Sequence, residues 1–428
     1  MVPTSSTTTT ASSASANAQM RMMKTMVFGK NSAQIAVQCK MQEIPKLPRR
    51  SKGSAVLVKV HAVGLNPVDA KLVVGDKIPS TWKRTRALFH SAIVQDTAIG
   101  FDFAGTVVDN GLPNDDDDDD NNVTTYRVGD EVYGTVPPLY GSLREYLVAP
   151  LHQISAKPKS LSFAQAAALP LVGLTAYQAL YPYRATTANN DKNDDNASLQ
   201  NNNNKSIVVV GASGGTGHVA LQVAERMGFT TRIAICSQRN FDWVRQDCKP
   251  THFVDYRNND NMVQEIQSIV GAEGSDSVEQ SGQVQVNVVM DCVTSEDSRD
   301  QQVQYPSLFL PLVKERYIRL GGGFTDWVRA GIERKTYLSC FGKEKLFWIR
   351  FPNSSDALKQ LQEWADDNNK DDNKPPIQPK IAQVVTDFTA EAVQKAMEDL
   401  LARRVAGKIV VQLVQEDTPT TEQQTEYN

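Results

Sequence analysis

A buried strand, a glycine-rich turn and a helix occupy residues 206–228, and further strands alternating with helices follow them. This order predicts an α/β chain with a doubly wound parallel sheet. Val-rich alternating segments with Gly nearby precede it and predict short strands ahead of that sheet. The 428 residues, 40% of them hydrophobic, provide enough chain and core for two domains.

The elements run in a regular order. Residues 55–62 alternate and are rich in Val, which predicts a strand, and 100–108 and 131–136 read as further short strands with Gly nearby. Residues 162–181 have helical spacing interrupted at Pro170. Residues 206–210 form a continuous apolar strand, and 214–228 a helix. Later strands are predicted at 232–236, 286–291 and 316–320. Residues 113–122, 186–204 and 366–376 are dominated by Asp, Asn or Lys, and 271–282 is a weaker case of the same kind. They lack the apolar residues that offset ordering entropy and are expected to be disordered surface insertions.

Composition narrows the function classes. Lys plus Arg is 45 and Asp plus Glu 49, a formal charge of −4, which gives no global electrostatic reason to expect a nucleic-acid partner. The five cysteines (Cys39, Cys236, Cys248, Cys292 and Cys340) are odd in number and contain no Cys-x-x-Cys pair. A disulfide scaffold or four-cysteine zinc lobe is therefore not expected. No apolar run approaches the roughly 18 residues of a transmembrane helix. Residues 1–23 are rich in Ser, Thr and Ala and carry only basic charges. They read as a disordered tail or an organellar transit peptide, so the expected location is cytoplasmic, with mitochondrion or plastid as the alternative.

The sharpest signal is the segment 207–217, IVVVGASGGTG, which runs into the helix. Gly211, Gly214, Gly215 and Gly217 allow a tight turn and close approach of the backbone to a pyrophosphate. The helix N-terminus offers free N–H groups and a positive dipole end, and Ser213 and Thr216 add hydroxyls. The second strand ends ICSQR at 235–239, without the carboxylate that accepts the ribose 2′-OH of NADH. Ser237 and Arg239 suit a 2′-phosphate instead, with Tyr256 a further partner, so NADPH is the expected cofactor.

Several ordered motifs together resemble a known family. Residues 64–69 (GLNPVD), 129–134 (GDEVYG), 166–177 (AAALPLVGLTAY), the glycine-rich loop, 317–322 (YIRLGG) and 406–411 (AGKIVV) are similar to the zinc-independent quinone oxidoreductases of the medium-chain dehydrogenase/reductase superfamily. Local segments such as 236–238 (CSQ) are most similar to the reticulon-interacting mitochondrial oxidoreductases. The resemblance implies a Rossmann NADPH-binding domain at 161–350. It also implies a GroES-like catalytic domain at 24–160 that resumes at 351–416, with a disordered tail at 417–428. It further implies hydride transfer to a quinone or an activated alkene, and a possible homodimer. Asn66 and the segment Gly100-Phe101-Asp102 stand where zinc alcohol dehydrogenases carry a Cys and a Gly-His-Glu, so no metal is expected.

By the same resemblance, Thr175 is a cofactor contact at the domain junction, and Lys71 neutralises a developing enolate or else is a solvated surface lysine; the Asn66 amide suits positioning of substrate or the nicotinamide ribose. Tyr140 closes over the nicotinamide or donates a proton, or else is a packing aromatic. Asp69 and Asp102 are read as acceptors for backbone N–H groups. The competing functional classes are a non-catalytic NADPH-binding adaptor and a trans-acting enoyl reductase.

Overall fold

The computed structural model describes residues 21–29, 36–47, 54–71, 94–111, 126–185, 204–257, 261–273, 284–293, 305–321, 342–347, 349, 354–367, 374–403 and 405–414. The expected insertion 113–122, residues 186–203, 274–282 and 368–373 of the other insertions, and both chain ends lie outside them, as do Cys340 and the side chain of Lys71.

The first domain is mainly β. Strand β1 (Met22–Phe28) pairs antiparallel with β2 (Val37–Glu43). Strand β3 (Ala55–Leu65) leads into the short helix α1 (Pro67–Lys71), and β4 (Asp102–Asp109), β5 (Glu131–Thr135), β6 (Tyr146–Pro150) and β7 (Ile154–Ala156) follow. The predicted interruption at Pro170 divides α2 (Phe163–Ala168) from α3 (Pro170–Leu180). Ser162 and Gln165 form a reciprocal capping box at the start of α2, and Pro170 sits in the first turn of α3, where it has no N–H to lose.

The second domain opens with β8 (Lys205–Val210), and α4 (Gly215–Arg226) and β9 (Phe229–Cys236) follow. It continues through α5 (Phe241–Cys248), β10 (His252–Asp255), α6 (Met262–Ala272), β11 (Val286–Asp291), α7 (Tyr305–Phe309), β12 (Val313–Arg319) and β13 (Glu344–Leu346). The described strands form a parallel sheet in the order β10-β9-β8-β11-β12-β13, the doubly wound arrangement. Strand β11 is buried throughout and β8 is buried beyond Lys205, because helices cover both faces of the sheet. The order reverses between β8 and β11, and the crevice beyond their C-terminal ends is where such sheets bind ligands.

The chain then returns to the first domain. Helix α8 (Ser355–Asp366), strand β14 (Ile381–Val385), helix α9 (Ala390–Leu401) and strand β15 (Lys408–Gln412) complete the described elements. Strand β15 pairs antiparallel with β3 and carries β14 on its outer side, closing the seven-stranded sheet β14-β15-β3-β4-β5-β7, with β6 also paired to β3. Helix α8 lies where the domains meet: Leu361 belongs to the core beneath α3, and the Tyr133 hydroxyl donates to the Leu358 carbonyl at 2.6 Å.

The structure corrects two of the expected loop boundaries. Residues 271–272 still belong to α6. The predicted loop 366–376 is anchored at both ends on α4: Arg226 pairs with Asp367 at 2.6 Å and donates to the carbonyls of Lys374 and Pro375. Composition registers the polar residues there, but it does not register a partner 141 residues away in sequence.

Candidate active site

A cavity of 450 Å³ opens at the switch point of the parallel sheet. Its lining includes Gly211, Ser213, Gly214, Gly215 and Thr216 from the glycine-rich turn, Ser237, Arg239 and Tyr256 beyond β9 and β10, and Asn66, Thr175 and Lys408 from the other wall. The turn is shaped by its glycines. Gly211 has φ +77°, and a Cβ there would lie 2.5 Å from a Val293 methyl. A Cβ on Gly217 would lie 2.2 Å from the Gly211 carbonyl oxygen, so this glycine brings the first turn of α4 against the strand end rather than lining the cavity. The result is a bare backbone cradle at the N-terminus of a 12-residue helix, a shape and a dipole that fit a pyrophosphate.

Asn240 organises one side of this cradle and was not singled out from the sequence. Its amide donates to Ser213 Oγ at 3.0 Å and to Ser237 Oγ at 3.2 Å, while Trp243 Nε1 donates to its oxygen at 3.3 Å. Each serine hydroxyl therefore accepts from Asn240 and keeps its own proton to donate outward. Arg257 Nε likewise donates to the Tyr256 hydroxyl oxygen at 3.3 Å, so that phenol is held as a donor. Two aligned serines, Arg239 and Tyr256 thus present hydrogen-bond donors and positive charge to one region of the cavity.

The opposite wall is a buried polar network. Asn66 lies between β3 and α1, and its backbone N–H donates to Asp69 Oδ2 at 2.7 Å. Its side-chain amide donates to Asp102 Oδ2 at 2.9 Å and to the Gly64 carbonyl at 3.3 Å, and its oxygen accepts from Lys408 Nζ at 2.6 Å. The expectation that Asn66 positions a ligand through its amide is thereby narrowed: both N–H donors are committed within the protein. Asp102 accepts the Leu171 N–H at 2.9 Å at the start of α3, and Lys408 Nζ lies 3.5 Å from its second oxygen. Asp69 and Asp102 do accept backbone N–H groups, and Asp102 additionally faces an ammonium from the far end of the chain.

This network is fully dehydrated on its carboxylate side, since Asp69 and Asp102 are 0% exposed. Burial pushes the Asp69 carboxyl up to about 7, against the lowering effect of the Asn66 backbone N–H. Burial also raises Asp102, opposed chiefly by Lys408, and it lowers the Lys408 ammonium below the ordinary lysine range, opposed by Asp102.

Lys408 reaches this position because β15 is stitched to the glycine-rich turn. Gly407 takes φ +106°, and a Cβ there would lie 2.5 Å from the Lys380 carbonyl oxygen. Its N–H donates to the Ser213 carbonyl at 3.0 Å, while the Lys408 N–H donates to the Lys380 carbonyl at 2.8 Å. His218 adds a second stitch. Its Nε2 accepts the Lys380 N–H at 2.9 Å, which leaves Nδ1 to carry the proton and donate to the Gly214 carbonyl at 2.8 Å. Burial pushes this imidazole down to about 4, so it is neutral near neutral pH.

The remaining expected residues are distributed as follows. Thr175 lines the cavity, and its hydroxyl donates to the Leu171 carbonyl one turn back at 2.6 Å, leaving its oxygen as an acceptor. Tyr140 is 41% exposed and is not a lining residue; its neighbour Pro138 lines the cavity, and Leu139 between them has φ +68°. Lys71 ends α1, and its side chain lies outside the described residues. Among the described residues, no group of three or more His, Cys, Asp and Glu side chains is placed to hold a metal ion.

Residues 52–159 match the alcohol dehydrogenase GroES-like domain. The chain is 31% identical over 223 residues to the mitochondrial NAD(P)H oxidoreductase RTN4IP1 of Homo sapiens, covering 51% of this chain and 50% of that one. It is 34% identical over 193 residues to the 2-methylene-furan-3-one reductase of Solanum lycopersicum, covering 44% of this chain and 40% of that one. These matches span half or less of the relatives' own lengths. Among solved structures, the quinone oxidoreductase from Coxiella burnetii superposes with a TM-score of 0.60 at 22% identity, over 92% of this chain and all of its own, which establishes the fold. Residues 52–159 thus carry the match to the GroES-like domain, and the chain as a whole, with its parallel sheet in the order β10-β9-β8-β11-β12-β13, shares the fold of that solved oxidoreductase.

Proposed function

We propose that the chain is an oxidoreductase that binds a nicotinamide cofactor, NADPH in preference to NADH, and reduces a quinone or an activated alkene such as an α,β-unsaturated ketone without zinc. The observation that carries this reading is the convergence, around one 450 Å³ cavity, of a bare glycine cradle, a carboxylate-free group of donors in Ser237, Arg239 and Tyr256, and a buried Asn66–Lys408 pair. The names of the relatives, an NAD(P)H oxidoreductase and a furanone reductase, support the acceptor class.

The chemistry divides between cofactor and protein. Bound NADPH supplies a hydride from C4 of its nicotinamide. Gly211 to Gly215 and the helix behind them would hold the diphosphate, and Ser213, Ser237, Arg239 and Tyr256, which line the same cavity, would hold the 2′-phosphate. Thr175 and Asn66 face the nicotinamide end as acceptors. Leu65, Phe101, Leu346, Phe347 and Ile349 give the cavity apolar walls that exclude water and accept a flat, electron-poor ring or alkene. Zinc does not suit this wall. Asn66 replaces the thiolate of a zinc dehydrogenase, and the Lys408 ammonium already lies 2.6 Å from its oxygen and would repel a second cation.

Tyr140 and Lys71 stay candidates for closing the site and for stabilising negative charge. The mitochondrial name of one relative favours an organellar address over a cytoplasmic one. The functional reading is tested by fluorescence titration with NADPH and NADH, followed by turnover with 9,10-phenanthrenequinone. Tighter NADPH binding with turnover supports it. Tight binding without turnover of any quinone or enone supports the adaptor reading instead.

A further inference from the structure

Lys408 lies outside the glycine-rich turn, and its ammonium is held by two buried side chains, Asn66 and Asp102. Its side chain is 3% exposed and lines the cavity, and the ammonium points one N–H at Asn66 Oδ1 and another toward Asp102 Oδ2. A primary ammonium has three N–H donors, so one is left for a ligand. Its stem crosses the first residue of α4, where a Cβ on Gly215 would come within 3.1 Å of Lys408 Cδ, and its head reaches the base of α1. The ammonium therefore lies between the glycine-rich cradle and Asn66, on the wall of the cavity. Buried beside it are two carboxylates, and Asp69 Oδ1 has no hydrogen-bond partner. One cation against two dehydrated carboxylates favours keeping every available proton in this wall.

We propose that Lys408 is a catalytic residue whose free N–H receives the oxyanion formed when hydride reaches the acceptor, and protonates it. This deepens the oxidoreductase reading and rests on it. The balance is simple. Hydride brings two electrons and one hydrogen to an electron-poor carbon, the acceptor π bond opens, and its electron pair moves onto the carbonyl oxygen. An Nζ–H bond of Lys408 then breaks as an O–H bond forms, and the product leaves as an enol, which becomes the ketone; the corresponding quinone adduct becomes the hydroquinone when the proton of its new C–H bond shifts to the second carbonyl oxygen. Lys408 remains as a neutral amine until it takes a proton from water, so each cycle consumes one NADPH, one acceptor and one proton. The lowered affinity of this buried ammonium for its proton favours the transfer, and the Asp102 carboxylate beside it favours its return. The charged and titratable groups facing Lys408 are Asp102 on β4, Asp69 on α1 and His218 on α4.

The test compares wild type with Lys408→Met in three measurements. The first is NADPH affinity by fluorescence. The second is turnover with a quinone and an enone. The third needs no turnover: 4-nitrophenol is bound to the NADP⁺ complex and titrated spectrophotometrically as a mimic of the oxyanion. The expected result is that wild type holds the probe as its phenolate well below the pH at which the free phenol ionises, and that the variant does not. Turnover should fall about 100-fold, within the range for lost general acid catalysis, with NADPH affinity changed by less than about threefold. If single replacement leaves Asp102 unpaired and the protein unfolded, Asp102→Asn/Lys408→Met removes both charges and carries the same comparison. Identical phenolate titrations in wild type and variant would overturn the proposal. So would a loss confined to NADPH affinity, which would assign Lys408 to the cofactor phosphates. A wild type that turns over no acceptor would overturn the oxidoreductase reading, and the phenolate titration would still decide the role of Lys408.

Discussion

Acidification should loosen the stitch between the glycine-rich turn and the return segment, through one histidine. A backbone N–H can only donate, so the Lys380 N–H at 2.9 Å requires an unprotonated Nε2 on His218. Charging the ring breaks that bond in a fully buried site, which pushes the imidazole from 6.5 down to about 4. For a group depressed in the folded state, the stabilisation is complete above the unfolded pKa and is lost as the pH falls toward the folded one. Here that window is pH 6.5 to about 4. At 1.36 kcal/mol per pH unit the loss is about 3 kcal/mol. Asp69 works in the opposite sense. Its folded pKa is raised from 3.8 to about 7, so its contribution is present at low pH and is lost as the pH rises through that interval. The two effects offset each other in the whole protein, and the wild-type profile alone does not isolate His218. The assay is therefore urea unfolding of wild type and His218→Gln across pH 8 to 4, where Gln keeps a donor and an acceptor but does not titrate. The stability advantage of wild type should shrink by about 3 kcal/mol as the pH falls through the window. A difference between the two proteins that does not change with pH would refute the assignment of a buried neutral imidazole.

Three further outcomes are expected. Gly217→Ala places a methyl 2.2 Å from the Gly211 carbonyl oxygen, so α4 must shift, and NADPH affinity measured by fluorescence should fall by at least about 10-fold, or ~1.4 kcal/mol. Arg239→Ala should weaken NADPH by about 10- to 150-fold, the worth of a charged hydrogen bond, and leave NADH nearly unchanged. Equal losses for both cofactors would place the 2′-phosphate elsewhere. Replacing residues 186–203 by a short Gly-Ser linker should leave NADPH affinity nearly intact and change stability by only about 1 kcal/mol. The flanking Ala185, whose N–H donates to the Met227 carbonyl, and Lys205, which begins β8, mark the end of the sheet opposite the glycine-rich turn.

The parts legible in the sequence are those built from local chemistry. The glycine spacing at 211–217, the missing carboxylate after β9 and the Pro170 break each depend on neighbours a few residues away, and the structure has a feature at each. Strand limits moved by a few residues where tertiary pairing extended them: the strand expected at 232–236 begins at Phe229, and that at 316–320 runs Val313–Arg319. The other wall was legible only in part: Asn66, Thr175, Asp69 and Asp102 stand out in the sequence, but the ammonium that joins three of them does not. Lys408 was visible only as part of a motif, because its partner Asn66 lies 342 residues away. Asn240 follows Arg239 directly, yet nothing in the local pattern shows that its amide reaches back 27 residues to Ser213. His218 reads from the sequence as an ordinary helix residue, and only the return of residue 380 beside α4 gives its ring two partners.

The central claim is direct hydride transfer in a site that uses Asn66 and Lys408 instead of a metal. The most direct measurement is the fate of deuterium from the transferable C4 position of labelled NADPH, with an α,β-unsaturated ketone as acceptor and protein treated with a chelator. The account predicts product carrying one deuterium on the β carbon, formed at the same rate before and after chelation, and formed more slowly with labelled NADH. Unlabelled product, or activity that disappears with the chelator and returns with zinc, would contradict it.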